Sequence, residues 1–166
     1  MAKTLIIMRH AKSNWDDPSL ADYDRPLNNR GLRDAPRMAQ WLADSELIPD
    51  QVIASAACRA SQTASIVANN LSLESDILET RDLYLSGYDA YLEQISYLPN
   101  HVDTALIIGH NPTMESLVYL LSGESVSMQT AAIAVIQLPI NSWSDQITSA
   151  SANLVKHVFP KSLDLG

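Results

Sequence analysis

The chain of 166 residues has few of the features that define several large protein classes. Its single cysteine, Cys58, cannot form a disulfide within the chain, which is consistent with a reducing compartment. Its five glycines include no Gly-Lys-Ser or Gly-Lys-Thr sequence, so a P-loop is absent. The histidines show no metal-ligand spacing, and we therefore expect no structural zinc site; they are His10, His101, His110 and His157.

Long apolar runs and positive charge are also scarce. No stretch approaches the ~20 apolar residues that span a bilayer, and the first apolar run, at residues 5–8, is too short for a signal peptide. The 11 basic side chains face 19 acidic ones, for a net charge of -8. Such a protein repels polyanions unless its charge is sharply segregated. We therefore expect a cytoplasmic protein with neither a membrane nor nucleic acid as a partner.

Short apolar runs alternate with helix-like segments along the chain. Strands are predicted at residues 3–8, 51–55, 74–79, 103–108, 131–138 and 154–159. Helices are predicted at residues 30–44, 60–71, 89–98 and 112–121. This alternation predicts one α/β domain over residues 1–166, a three-layer sandwich in which helices flank a mostly parallel central sheet.

Two prolines and one long loop refine this prediction. Pro36 indicates that the first helix starts late or kinks, because proline lacks the amide hydrogen. Asn111 is predicted to cap the fourth helix and Pro112 to open it. Residues 11–28 are polar and read as a long loop, and such loops in compact domains are often functional.

Cationic and imidazole side chains follow three of the predicted strands. Arg9 and His10 come directly after the first strand, Arg59 lies shortly after the second, and His110 follows the strand at 103–108. Ligands in open α/β sheets bind beyond the carboxyl ends of the strands. Arg59 and His110 also stand near predicted helix N-termini, which favour bound anions. The sequence therefore predicts a pocket for a phosphoryl group.

The motifs around these residues resemble the signature of the histidine phosphatase, or phosphoglycerate mutase-like, superfamily. They are Leu5-Ile6-Ile7-Met8-Arg9-His10-Ala11, Arg59-Ala60-Ser61-Gln62-Thr63-Ala64 and Gly109-His110-Asn111-Pro112, in the family's order and spacing. The short chain, with Asp24-Arg25-Pro26-Leu27-Asn28 before Gly31, is similar to the SixA-type phosphohistidine phosphatases. The resemblance implies the phosphoglycerate mutase-like fold.

The resemblance also implies a mechanism. His10 attacks phosphorus and carries a transient phosphohistidine, while Arg9, Arg59 and His110 hold the phosphoryl oxygens. Water then hydrolyses the intermediate, and neither a metal nor another cofactor is required. The attacking His10 must be neutral, and two neighbouring guanidinium groups lower its pKa.

Three further residues have less certain roles. Arg25 matches the arginine of the SixA-type segment and could reach the phosphate, or it could form a surface salt bridge with Asp22 or Asp24. Many superfamily members present a glutamate from an inserted segment as proton donor, and this chain has no such insertion. Glu79 and Asp22 are the candidates near the pocket, so the general acid stays open.

The absence of an obvious proton donor affects which substrate we expect. A phosphohistidine has a labile P–N bond and an imidazole leaving group, which needs less protonation than an alkoxide. We therefore expect a protein-borne phosphohistidine as substrate, and the resemblance suggests a histidine-containing phosphotransfer domain of a signalling relay as partner. Two alternatives remain: a phosphatase for small phosphomonoesters and a non-catalytic module that binds phosphoproteins.

Overall fold

A mixed β-sheet forms the centre of the structure, a computed structural model that describes residues 2–164. Within these residues the sheet has six strands: β1 (Lys3–Arg9), β2 (Gln51–Ser55), β3 (Leu78–Thr80), β4 (Thr104–Gly109), β5 (Ile133–Leu138) and β6 (Asn153–Val158). Their order is β3-β2-β4-β1-β5-β6. β5 runs antiparallel to both of its neighbours, and the other pairs are parallel. The sheet is therefore mostly parallel, as predicted.

Helices cover both faces of the sheet. They are α1 (Asn29–Asp44), α2 (Cys58–Asn70), α3 (Tyr88–Ser96), α4 (Thr113–Ser122) and α5 (Pro160–Leu163), with short 3₁₀ helices at Asp22–Asp24 and Arg81–Leu83. One buried cluster joins α1 and α2 to one face, and a second joins α3 and α4 to the other. This arrangement confirms the predicted three-layer α/β sandwich. No helix of the described residues is both long and apolar enough to cross a membrane.

Alternating side chains of the central strands supply the two cores. Leu5 and Ile7 of β1 face α3 and α4, whereas Ile6 and Met8 face α1 and α2. All four side chains are fully buried. A strand covered on both faces needs apolar residues at every position, which is why β1 reads as a continuous apolar run.

The structure differs from the prediction at the sheet's edge and at the C-terminal end. The strand predicted at 74–79 is reduced to β3, an edge strand that pairs with β2 over three residues and whose Leu78 and Glu79 are exposed. The four-residue helix α5 was not predicted. The remaining predicted strands and helices are present, with ends shifted by a few residues.

Helix α1 contains Pro36 and nevertheless does not start late. It begins at Asn29, where the side chain of Asn28 accepts a hydrogen bond from the Gly31 amide at 2.9 Å. This cap stabilises the first turn well before the proline. The buried residues Met38 and Leu42 then hold the later turns against the sheet.

The start of α4 also departs from the prediction. Pro112 occupies the N-cap position, the helix begins at Thr113, and no side chain caps it. The side-chain Nδ2 of Asn111 instead donates to the Met128 carbonyl at 2.7 Å, so Asn111 is not the predicted cap. Asn111 therefore connects the end of β4 to the segment before β5.

The parallel register aligns the strand ends that carry the predicted site. Arg9 of β1 lies directly beside Gly109 of β4. His10 and His110 are consequently the next residues of two neighbouring strands, and the His10 amide donates to the Gly109 carbonyl at 3.1 Å. β2 also ends at this carboxyl edge of the sheet, at Ser55, and α2 then begins at Cys58.

The tight packing of Gly109 against Tyr91 yields a first prediction. A Cβ at Gly109 would overlap the Tyr91 ring and hydroxyl, and the same hydroxyl accepts from the His110 amide at 3.2 Å. We expect Gly109→Ala to lower the free energy of unfolding in urea by about 1–3 kcal/mol, the usual cost of overpacking a core. Gly87→Ala is the control, because a Cβ there meets nothing within 4 Å. Equal stability of the two variants would contradict the prediction.

Candidate active site

Four side chains from three strand ends meet at the carboxyl edge of the sheet. The ring centroids of His10 and His110 are 5.1 Å apart. Arg59, in the first turn of α2, donates from Nε to His10 Nε2 at 3.2 Å. Arg9 lies one residue before His10 and borders the same small cleft. The structure thus brings together the four residues that the sequence predicted as a cluster.

The protonation of the His10 ring follows from its two contacts. Nδ1 lies 2.7 Å from the Ala11 carbonyl, which can only accept, so Nδ1 carries the hydrogen. Nε2 then has a free lone pair and accepts from Arg59. The Ala11 amide donates to Thr63 Oγ1 at 3.0 Å, which attaches this segment to α2. The outcome is a buried imidazole whose Nε2 is the unprotonated ring nitrogen.

Burial keeps both histidines neutral. The pKa of His10 falls from 6.5 to about 3, mainly through burial; the hydrogen bond to Ala11 opposes this shift, and the charges of His110, Arg59 and Arg9 add to it. Burial is also the main reason that the pKa of His110 falls to about 4, with Arg59 as the next contribution. At neutral pH both rings are uncharged, as a nucleophile requires.

Asp22 and Tyr84 hold the Arg59 side chain in place. Arg59 donates from Nη1 to the Asp22 carbonyl at 2.7 Å and from Nη2 to Asp22 Oδ2 at 3.0 Å. The Tyr84 hydroxyl donates to the same Oδ2 at 2.6 Å. These contacts join the loop after β1 to the segment after β3. They position the guanidinium against His10.

Arg9 is fixed by the segment between α4 and β5. Its Nη1 donates to the Met128 carbonyl at 3.2 Å, and the side-chain Nδ2 of Asn111 donates to the same oxygen. The Met128 amide in turn donates to Glu115 of α4 at 2.8 Å. Arg9 Nε is buried and has no partner among residues 2–164, so it remains a donor for an incoming anion.

Ser55 determines which nitrogen of His110 carries the hydrogen. The fully buried Ser55 hydroxyl oxygen accepts from the Ala57 amide at 3.2 Å and lies 2.8 Å from His110 Nε2. Because the Ser55 oxygen already accepts from Ala57, we expect the Ser55 hydroxyl to donate to His110 Nε2, which places the hydrogen of the neutral ring on Nδ1. That Nδ1 is buried without a partner in the described part of the chain.

Two adjoining cavities open at this cluster. A small cleft of about 170 Å³ is bordered by Arg9, His10, Arg59 and His110, together with Lys12, Ser13, Trp15, Asn111 and Thr130. A larger cavity of about 630 Å³ shares Arg59, His110 and Asn111 with it. The small cleft matches a phosphoryl group in its charge, and the larger one has room for the group that carries it.

Arg25 is placed differently from the prediction. Its guanidinium donates to the carbonyls of Asp17 and Leu20 at 3.0 Å and lies 4.0 Å from the Trp15 ring. Within residues 2–164 it forms neither a hydrogen bond to the histidine cluster nor the alternative ion pair with Asp22 or Asp24. Its contacts are those of a residue that holds the loop together.

The two candidate acids also have other partners. Asp22 is bound to Arg59 and Tyr84, and although burial raises its pKa, hydrogen bonds from Tyr84 and Arg59 lower it overall. It is therefore ionised at neutral pH and suited to accept rather than donate a proton. Glu79 is exposed and accepts from Ser61 Oγ at 2.6 Å, without a hydrogen bond to the cluster in the described residues.

Sequence reasoning missed several residues that position the cluster. Ser55 and Tyr91 hydrogen-bond to His110, and the Met128 carbonyl accepts from Arg9. Thr63 accepts from the Ala11 amide and donates to the Arg59 carbonyl, and Tyr84 donates to Asp22. The position of Ser55 at a strand end was a usable signal, because neighbouring strand ends also supply Arg9 and His110. The Met128 carbonyl had no signal, since any residue type offers the same backbone oxygen.

Comparison with known proteins identifies the family of this chain. The profile of the Histidine phosphatase superfamily (branch 1) matches residues 5–83. Phosphohistidine phosphatase SixA of Escherichia coli is 33% identical over 140 residues, covering 81% of this chain and 84% of that protein. An uncharacterized chloroplastic protein of Arabidopsis thaliana is 32% identical over 154 residues, covering 87% and 71%.

Solved structures extend the likeness to the whole fold. The protein histidine phosphatase SixA complexed with tungstate superimposes with a TM-score of 0.82 at 27% identity, covering 96% of this chain and 99% of that one. The protein belongs to the histidine phosphatase superfamily. It has the phosphoglycerate mutase-like fold of the SixA phosphohistidine phosphatases, and it is a phosphatase.

The neutral histidines predict a specific loss of stability in acid. Below about pH 6.5 the unfolded chain protonates both rings, whereas the folded protein keeps them neutral down to about pH 4 for His110 and about pH 3 for His10. Acid therefore favours unfolding, by up to about 1.4 kcal/mol per pH unit for each ring. We expect the free energy of urea unfolding to fall as the pH drops from 6.5 to 4.

Carboxylates also titrate in this range, so the comparison with a variant isolates the histidine contribution. His10→Asn should have a shallower pH dependence than wild type, and His101→Asn, at an exposed site, should match wild type. The titration is done without phosphate, which would bind the folded state. Parallel curves for wild type and His10→Asn would refute the assignment of a buried neutral His10.

Ser55 offers a test of the His110 tautomer. We expect Ser55→Ala to lower kcat for an aryl phosphate about five- to tenfold, the effect of one lost hydrogen bond of about 1 kcal/mol. Ser55→Thr retains the hydroxyl and should therefore retain the wild-type kcat. ¹⁵N NMR of the histidine rings should show hydrogen on His110 Nδ1 in wild type and a tautomer mixture in Ser55→Ala. Ser61→Ala is the control, and an unchanged tautomer in Ser55→Ala would contradict the role.

Proposed function

We propose that this phosphatase hydrolyses phosphohistidine on proteins through a covalent phosphohistidine at His10. The observation that carries the proposal is the geometry of His10, whose Nδ1 donates to the Ala11 carbonyl and whose buried Nε2 is unprotonated and accepts from Arg59 Nε. A nucleophile held in this state has no function in a module that only binds phosphate. It therefore favours catalysis over the binding alternative.

The proposed reaction has two displacements. First, His10 Nε2 forms a bond to phosphorus while the P–N bond to the substrate imidazole breaks, and the leaving ring keeps a proton taken from solvent on its other nitrogen. Second, water attacks phosphorus, the bond to Nε2 breaks, and inorganic phosphate leaves. Arg9 and Arg59 offset the charge on the phosphoryl oxygens, which a divalent metal would otherwise do.

The surroundings of the cluster support phosphohistidine over a phosphomonoester. Neither of the two candidate acids is available to protonate an alkoxide, since Asp22 is ionised and Glu79 is bonded to Ser61. An alkoxide leaving group needs such an acid, whereas an imidazole can leave with the proton that it already carries. The relationship to the SixA proteins points to the same substrate.

The proposed partner is a phosphorylated protein, and a histidine-containing phosphotransfer domain is the kind of protein that presents phosphohistidine on its surface. The alternative substrate is a small phosphomonoester, for which the cavity of about 630 Å³ beside the cluster has enough room. The two readings make opposite predictions about which phosphorylated compound is hydrolysed faster.

The deciding experiment compares wild type with His10→Ala on a ³²P-labelled phosphohistidine protein and on an aryl phosphate. We expect wild type to release phosphate faster from the phosphohistidine protein and to carry an acid-labile label. His10→Ala should lose activity by on the order of a thousandfold or more and carry no label. His101→Ala, a histidine exposed outside the site, is the control and should behave as wild type.

Each other outcome selects an alternative. Faster hydrolysis of the aryl phosphate would favour the small phosphomonoester. Equal binding of the phosphoprotein by both proteins, without phosphate release, would replace catalysis with the binding module. A labelled His10→Ala protein would exclude His10 as the nucleophile.

A further inference from the structure

The larger cavity beside the cluster continues along α4. It adjoins a third cavity of about 460 Å³, with which it shares Tyr88 and Ser116. The two together form one channel, which we call the α4 groove, from His110 past Tyr88 and Ser116 to Tyr119. A phosphoryl group occupies only the small cleft, so the groove offers far more space than the reacting group needs.

The walls of the α4 groove expose large apolar side chains. Leu85 is 83% exposed, Tyr119 60% and Tyr88 37%. Leu85 also has a φ of 55°, which turns this residue outward between the 3₁₀ helix at Arg81–Leu83 and α3. Exposed tyrosines and aliphatic side chains beside a cleft are typical of protein-binding surfaces, where they supply most of the binding energy.

The charge of the groove is negative beyond the catalytic end. Its charged side chains, within the described residues, are Arg59 at the cluster, Asp89 and Glu115. Glu115 accepts from the Met128 amide and is close enough to Arg9 to raise its pKa. Asp89 is exposed and forms no ion pair in residues 2–164. It is therefore an unpaired negative charge on the route to the cluster.

We propose that the α4 groove binds the polypeptide segment around the phosphohistidine of a protein substrate, and that it selects segments with apolar and basic neighbours. This inference rests on the proposed function and deepens it. The groove is continuous with Arg59 and His110, so its occupant must also present the phosphoryl group. A polyanion would meet Asp89, which has no ion-pair partner in residues 2–164, and a second copy of this chain would bring no phosphoryl group.

The test uses two synthetic peptides, each phosphorylated by phosphoramidate at a single central histidine. Leucines flank the histidine in both, and the remaining neighbours are lysines in one peptide and glutamates in the other. Free phosphohistidine is the third substrate. The enzyme variants are Leu85→Asn, which suits the positive φ, and Asp89→Lys, with Ile48→Asn and Asp76→Lys as controls on exposed residues near the opposite edge of the sheet.

For wild type we expect kcat/KM to be about tenfold higher for the lysine peptide than for the glutamate peptide, with the preference shrinking as salt rises. Asp89→Lys should abolish or reverse that preference, while Asp76→Lys retains it. This pair separates Asp89 from the general attraction of an acidic protein. Leu85→Asn should lower the ratio of kcat/KM for the lysine peptide to that for free phosphohistidine by five- to tenfold, and Ile48→Asn should not.

Two results would overturn the inference. The first leaves the proposed function intact, and the second contradicts the proposed function as well. If wild type hydrolyses free phosphohistidine and both peptides with equal kcat/KM, the α4 groove does not bind the substrate, although the proposed function survives. The same conclusion follows if the groove variants match their controls. If wild type hydrolyses none of the three phosphohistidine compounds but does hydrolyse an aryl phosphate, the proposed function fails and the inference falls with it.

Discussion

The parallel pairing of β1 with β4 is the constraint on which the site depends. Its register sets Arg9 beside Gly109, so that His10 and His110 leave the sheet at the same level and on neighbouring strands. A shift by one residue would exchange the two faces of β1 and move Ile6 and Met8 out of their core. The free energy of burying that core therefore also fixes the relative position of the two histidines.

The cluster concentrates positive charge in a protein of net charge -8. Arg59 is attached to Asp22 and Arg9 to the Met128 carbonyl, so both guanidinium groups are held before any ligand arrives. Preorganised donors of this kind need not reorient when charge develops on a phosphoryl group. The same surroundings keep both imidazoles neutral, since a charged ring would be buried beside two cations.

Two loops at this edge of the sheet hold Arg59 in place through polar contacts. The loop after β1 supplies Asp22, which holds Arg59, and the segment after β3 supplies Tyr84, which holds Asp22. The same segment leads through Leu85 into α3 and forms one wall of the α4 groove. The proposed substrate contacts and the positioning of Arg59 thus involve the same short stretch of chain.

Much of this was determined by the sequence itself, because apolar runs that end in Arg9-His10, before Arg59 and at His110 mark strand ends from local pattern alone. The residue pattern failed where individual hydrogen bonds decided the outcome, even between residues close together in the sequence. Pro36 did not delay α1 because Asn28 caps it, and Arg25 holds its loop through carbonyls of Asp17 and Leu20. Only the tertiary structure decided the tautomers of His10 and His110, the partners of Arg59 and the path of the α4 groove. Each of these depends on atoms that folding brings together from separate parts of the chain, and a backbone carbonyl such as that of Met128 has no signature in sequence.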